Sequence, residues 1–137
     1  MLDEKIQQVS RERLRKAEQT LGTTLKLAQN IETDEDYATI VNRSYYCIFH
    51  CMRAVVALDN FDSKKHSGII SYFRQHYIKT GKFPVELSGY IEQAFLLRNN
   101  SDYVDFAYFS EEEVNELIEN ATIFLNQTRA YLALLYT

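Results

Sequence analysis

One stretch, from about Asp34 to Leu58, constrains this chain more than any other. Tyr37, Ile40, Val41, Tyr45, Ile48, Phe49, Met52, Val55 and Val56 recur at steps of one to four residues and cover a wide face. A helix so broadly apolar needs neighbours on several sides, so this one is predicted to be the most buried element of the fold. Breakers are scarce elsewhere too. Four Gly and one Pro in 137 residues favour long helices over many short strands. The length suits a single domain over residues 1–137, and no linker, low-complexity tract or repeat divides it.

The remaining segments read as further helices. Leu14, Ala17, Leu21, Leu25, Ala28 and Ile31 mark one buried face of a long first helix. Gly22 interrupts that helix, which suggests the close approach of a neighbour. Thr33 with Asp36 forms a capping-box pattern at the head of the second helix. A shorter third helix carries Ile69, Ile70, Phe73 and Tyr77 inward and stops near Gly81. Pro84 stands where a first-turn proline would open the fourth, whose core face is Leu87, Tyr90, Ile91, Ala94, Phe95 and Leu97. That helix is expected to end near Arg98 to Asn100, because Asn tolerates the left-handed conformation of a helix terminus. A connector from Ser101 to Phe109 then leads to Ser110 and Glu113, a second capping box. The last helix follows with Val114, Leu117, Ile118, Ala121, Phe124, Leu125, Tyr131, Leu132 and Leu135. Long helices with short connections imply an all-α, antiparallel up-and-down bundle of four to five helices.

Several function classes fall away at this stage. No apolar run approaches the ~20 residues needed to span a bilayer, and the charged start Met1 to Lys5 does not resemble a secretion signal. Cys47 and Cys51, one helical turn apart in an apolar stretch, read as a reduced core pair in a cytoplasmic protein. No histidine has a glutamate three positions before it, as a di-metal bundle needs, and no histidine–cysteine spacing suits zinc. A phosphate-binding glycine loop is also missing, so neither metal nor cofactor is expected. The net charge is −4, but it is unevenly spread. Between Arg43 and Lys82 seven Lys and Arg face only Asp59 and Asp62; between Glu86 and Glu119 nine acids face only Arg98. Such asymmetry serves an RNA backbone or an oppositely charged partner, or is simply a solvated face.

The candidate chemistry centres on Arg98-Asn99-Asn100-Ser101-Asp102-Tyr103. The stretch Asn42 to His50 is rich in aromatic residues, and Lys64-Lys65-His66 opens the third helix with basic side chains. Together, and in this order, these pieces resemble the HEPN domain family over about residues 5 to 135. An arginine followed by a polar residue, with a titratable group five places on, is similar to the active-site signature of that family. The resemblance implies a helical bundle that commonly forms a homodimer, bringing two arginine motifs into one cleft. It also implies binding of RNA or a nucleotide, or a nucleotidyltransferase partner, at times as one half of a toxin–antitoxin pair.

In active members the reaction resembles metal-independent RNA cleavage by the neighbouring 2′-hydroxyl, with arginine stabilising the phosphate and histidine moving protons. Here the histidine position holds Tyr103. With a reference pKa of ~10, only on the order of 0.1% of a normal tyrosine is phenolate at pH 7, so it is a poor base. The resemblance therefore implies a binding module without efficient ribonuclease activity. The alternatives are a metal-independent endoribonuclease using Arg98, Tyr103 and Asp102, and a purely structural interaction subunit. Arg98, Asn99, Lys64, Lys65 and His66 are the candidate phosphate contacts. The plainer alternative is that Arg98 meets terminal carbonyls or pairs with Asp102, and that Tyr103 anchors helix ends.

Overall fold

The computed structural model describes residues 2–103 and 108–137, with Tyr103 described in its backbone alone. Five helices follow in order: α1 Glu4–Ala28, α2 Asp34–Val56, α3 His66–Phe73, α4 Glu86–Tyr103 and α5 Glu111–Ala133. A short 3₁₀ turn, Ala57–Asp59, extends α2, and a wide π turn, Arg74–Ile78, extends α3. No strand occurs among the described residues.

Cross-links between helices fix their directions. Ser10 of α1 donates to the Ala54 carbonyl of α2 at 2.7 Å, and Arg13 to that of Arg53 at 3.1 Å, so the start of α1 lies beside the end of α2. Ser101 near the end of α4 meets the Ala38 carbonyl near the start of α2. Arg129 of α5 reaches Glu18 of α1 at 2.9 Å, and Tyr136 beyond α5 reaches Ser10 at 2.6 Å. The four long helices therefore alternate in direction, the expected up-and-down bundle, with α3 as a short fifth member. Ser10 has one hydroxyl proton, and it goes to Ala54, so Tyr136 must be the donor of that last bond.

The apolar face of α2 governs the packing. Twelve of its 23 residues are buried, and α1, α3, α4 and α5 all pack on it. Tyr45, Ile48 and Met52 are sealed from solvent, with Phe73, Ile91, Leu117 and Phe124 arriving from the other helices. Fully burying a side chain of this kind contributes about 1.5–3 kcal/mol, which is why α2 organises the rest. At its head, the Asp36 carboxylate accepts the backbone N–H groups of Glu32 and Thr33 at 2.9 and 3.2 Å. At α5 the Ser110–Glu113 capping box forms in both directions.

Some details differ from the sequence expectation. Leu25 is 42% exposed, while Thr24 and Ser10 are buried on α1. Thr24 tolerates burial because its hydroxyl donates to the Thr20 carbonyl one turn back. Leu135, assigned to the core face of the last helix, follows its end and is exposed. Regular α4 begins two residues after Pro84, whose carbonyl accepts the Leu87 N–H in the opening turn. Helix α4 also continues through Arg98 to Tyr103, so Ser101 to Tyr103 are helical rather than connector. Positions 104–107 of that expected connector lie outside the described residues.

The glycines separate into opposite cases. Gly22 is exposed, and a Cβ there would meet nothing within 4 Å, so the close approach of a neighbour expected there does not occur. At Gly68 a Cβ would fall 2.3 Å from Ser63 Oγ and 2.8 Å from Ser63 Cβ, so α3 could no longer rest against the preceding loop. Gly22→Ala is expected to stabilise the fold by about 0.5–1 kcal/mol. Gly68→Ala is expected to destabilise it by about 1–3 kcal/mol. Urea unfolding of both variants checks the opposite signs.

Candidate functional site

Arg98 stands at the centre of the predicted site. Its side chain is only 17% exposed. The guanidinium carbon lies 5.0 Å from the ring centroid of Tyr45 and 5.6 Å from that of Tyr46, both on α2. Nη2 also donates to Tyr46 Oη in a long bond of 3.4 Å. One turn along α4, Asp102 Oδ2 comes within 3.2 Å of Arg98 Nε. That contact is charge pairing without an aligned hydrogen bond, since Nε has no hydrogen-bond partner among the described residues. Arginine suits such a seat because its flat, weakly hydrated cation can lie against aromatic faces and still present donors.

His66 reaches the same platform from the start of α3. Its Nδ1 lies 2.8 Å from Tyr45 Oη, and its ring stacks on Phe49 with centroids 4.0 Å apart. It also meets Tyr46 edge to face at 5.8 Å. Arg98 and His66, from different helices, thus share the Tyr45–Tyr46 pair. Partial burial, with the positive charges of Arg98 and Arg53, lowers the pKa of His66. Burial pushes the Tyr45 phenol up to about 12 against the opposing pull of Arg98, so it stays protonated near neutral pH.

The loop before α3 is tied down on both sides. Arg13 and Arg53 each reach Asp62 Oδ2 at 3.3 Å, while Asp59 Oδ2 accepts from Tyr77 at 2.8 Å and Tyr72 at 3.1 Å. Beside His66 opens a cavity of about 510 Å³ lined by Phe49, Arg53, Asp62, Ser63 and Lys64 as well. A larger groove of about 640 Å³ runs between α3 and α4 from Ser67 and Phe95 to Val85, with Arg74 and Lys79 among its walls. The larger groove contains none of the predicted site residues; it borders the cleft where Phe95 packs 6.3 Å from Tyr45.

The fold thus gathers Arg98, Asp102 and His66, with Lys64 in the adjoining cavity. Arg98 lies within α4 rather than at its end, and its cation engages Asp102 and the tyrosines. Lys65 occupies the N-cap position of α3 with no capping side-chain hydrogen bond and is exposed. Asn99 is half-buried and makes no side-chain hydrogen bond among the described residues. The side chain of Tyr103 lies outside the described residues. Sequence reasoning missed Tyr45, Tyr46, Phe49 and Arg53 as parts of this site. A usable signal was Tyr46, a polar-tipped aromatic set beside the apolar stripe of α2. Among the described residues no group of three or more His, Cys, Asp or Glu is placed to hold a metal ion. Cys47 and Cys51 are free and buried, and among the described residues no helix is long and apolar enough to cross a membrane.

His50 stands behind the platform, its ring 6.1 Å from that of Tyr46 and its Nδ1 buried with no partner among the described residues. Burial first, then the charges of Arg53, Lys16, His66 and Arg43, lowers its pKa from 6.5 to about 4. The unfolded chain therefore binds more protons between these two values. Stability should be free of this cost above pH 6.5 and fall as the pH drops toward 4. Thermal melts at pH 7.5, 6.5 and 5.5 should show a smaller fall for His50→Leu than for the parent. Equal falls would show that His50 does not carry the effect.

Comparison with known proteins agrees with this architecture. The family model described as the HEPN domain matches residues 10–131. A Methanocaldococcus jannaschii protein named "Putative toxin" is 36% identical over 109 residues, covering 80% of this chain and 74% of its own. A Gloeobacter violaceus protein named "UPF0332 protein" is 34% identical over 119 residues, covering 86% and 91%. Another of that name from Thermotoga maritima is 32% identical over 112 residues, covering 82% of each chain. With the bundle, the ordered motifs and a model match over nearly the whole length, this chain belongs to the HEPN domain family.

Proposed function

We propose that this chain is an RNA-binding HEPN module that grips the phosphodiester backbone in the Arg98 cleft. The observation that carries the reading is the seating of Arg98. Its cation lies against two tyrosine rings, mostly shielded from water, with His66 on the same platform. In such a setting a phosphate meets a pre-oriented charge that costs little further ordering. Lys64 and Arg53 in the adjoining cavity extend the positive field along the path of a strand. Half-buried Tyr46 supplies the ring face that an unpaired base can reach, which favours single strands over duplexes.

Asp102 offsets part of the Arg98 charge and orients it, so a bound phosphate competes with that carboxylate. A homodimer and a nucleotidyltransferase partner belong to the same proposal through the family, and the toxin name of one relative supports a place in a paired system. The motif by itself supports binding, because Tyr103 stands where a proton-moving histidine would be.

The test is fluorescence anisotropy with a labelled single-stranded RNA across a salt series. Arg98→Ala is expected to weaken binding about tenfold and to make the salt slope shallower, with Arg98→Lys recovering only part of the affinity. Affinity unchanged in Arg98→Ala would overturn this reading.

A further inference from the structure

We propose that the groove between α3 and α4 is a docking site for an acidic amphipathic helix of a partner protein. It is separate from the Arg98 cleft, since Arg98, Asp102, His66 and Lys64 line no part of it. Both α3 and α4 rest on α2, and the space left between them is about 640 Å³.

The walls repeat at helical spacing. Ile70, Arg74 and Ile78 line one side at steps of four residues, and Ser88, Ile91 and Phe95 line the other at steps of three and four. Each wall is one helix face, about three turns long. Ile70 and Ile91 close the floor at 8% and 1% exposure, whereas Val85 stands on the rim at 72%. The π turn shapes the wall further. The Lys79 N–H reaches back five residues to the Arg74 carbonyl at 2.8 Å, and Arg74, Gln75, Ile78 and Lys79 all line the groove. Wide turns of this kind concentrate at functional sites.

Charge selects the occupant. Two cations of the groove, Arg74 and Lys79, meet a single acid, Glu92. Lys79 is exposed and forms no ion pair among the described residues. Arg74 reaches the Ser88 carbonyl and Glu92 through Nη2 alone, and its Nε is buried with no partner among the described residues. A carboxylate arriving at this end of the groove therefore meets positive charge that Glu92 only partly answers.

The form of the occupant follows from the walls. Helices pair their backbone groups internally, so an extended peptide finds no backbone partners there. A helix satisfies its own backbone and can lay an apolar ridge between those of α3 and α4. A nucleic-acid strand fits poorly, because the floor is isoleucine and phenylalanine rather than a run of cations. A second copy of this chain also fits less well. Its acids Glu111, Glu112 and Glu113 open a helix whose Val114 and Leu117 are already sealed in its own core. The partner helix instead carries free apolar side chains three and four residues apart, with Asp or Glu beside them at the Lys79 end.

The probe is a labelled synthetic peptide of about four helical turns, with leucines on one stripe and glutamates beside it. A control peptide keeps the leucines and replaces each glutamate by lysine. In fluorescence anisotropy with the full chain, the acidic peptide should bind about tenfold or more tightly than the control. Val85→Asp should weaken it about tenfold while melting like the parent, because Asp suits the position just before α4. Lys79→Glu should weaken the acidic peptide and tighten the lysine peptide, a reversal that general stickiness cannot produce. No binding of the acidic peptide, equal binding of both peptides, or affinities unchanged in both variants would overturn the proposal. Sedimentation velocity covers the other occupant: a parent dimer that Val85→Asp converts to a monomer would give the groove to a second copy and likewise overturn it. RNA affinity does not enter these measurements, so their failure leaves the Arg98 reading untouched.

Discussion

Everything in this molecule follows from the need to bury α2 on several sides at once. No single partner can cover a face that includes Tyr45, Ile48, Met52 and Val55, so four helices must close around it. The bundle's alternating directions come from short connections between helices that all need the same support. The polar groups on α2 then have few exits. The Tyr45 hydroxyl, itself sealed from solvent, is met by half-buried His66 at the edge of the core. The cleft is therefore where the central helix surfaces, and its geometry inherits the rigidity of the core.

Electrostatics complete what packing begins. Tyr45 and Tyr46 give Arg98 a seat that lowers the penalty of its partial burial, and Asp102 holds its direction. These are modest forces individually, a cation–π contact contributing about 0.5–2 kcal/mol. Their value lies in orientation. Asp59 plays a similar part at the end of α2, accepting from Tyr72 and Tyr77 so that the end of α3 and its π extension are held there.

Much of the fold was legible because periodicity and caps are local properties. Residues around Ile40 to Val56 announced a buried helix, and Thr33–Asp36 and Ser110–Glu113 marked two helix starts. The failures came where local signals were outvoted. Asn99 and Asn100 look like a helix terminus, but Arg98–Asp102 pairing and the Ser101 contact to Ala38 favour continuing the helix. Leu25 looked buried because the stripe on α1 was drawn from apolar residues alone, whereas Thr24 satisfies its own hydroxyl. The site was legible only in part. Arg98 and Asp102 lie on one helix, but Tyr46 is 52 residues from Arg98 and Tyr45 is 21 from His66. Contacts at that separation depend on how helices cross, which no local pattern encodes.

The sharing of Asp62 by Arg13 and Arg53 has a consequence of its own. A single ion pair would force a choice, since an arriving anion that drew the arginine away would leave a bare carboxylate and a slack loop. With two arginines on one carboxylate, Arg53 can swing toward a visitor while Arg13 keeps hold of Asp62. The loop that carries Lys64 and His66 thus has a mooring with a spare line, able to give up one cation without drifting.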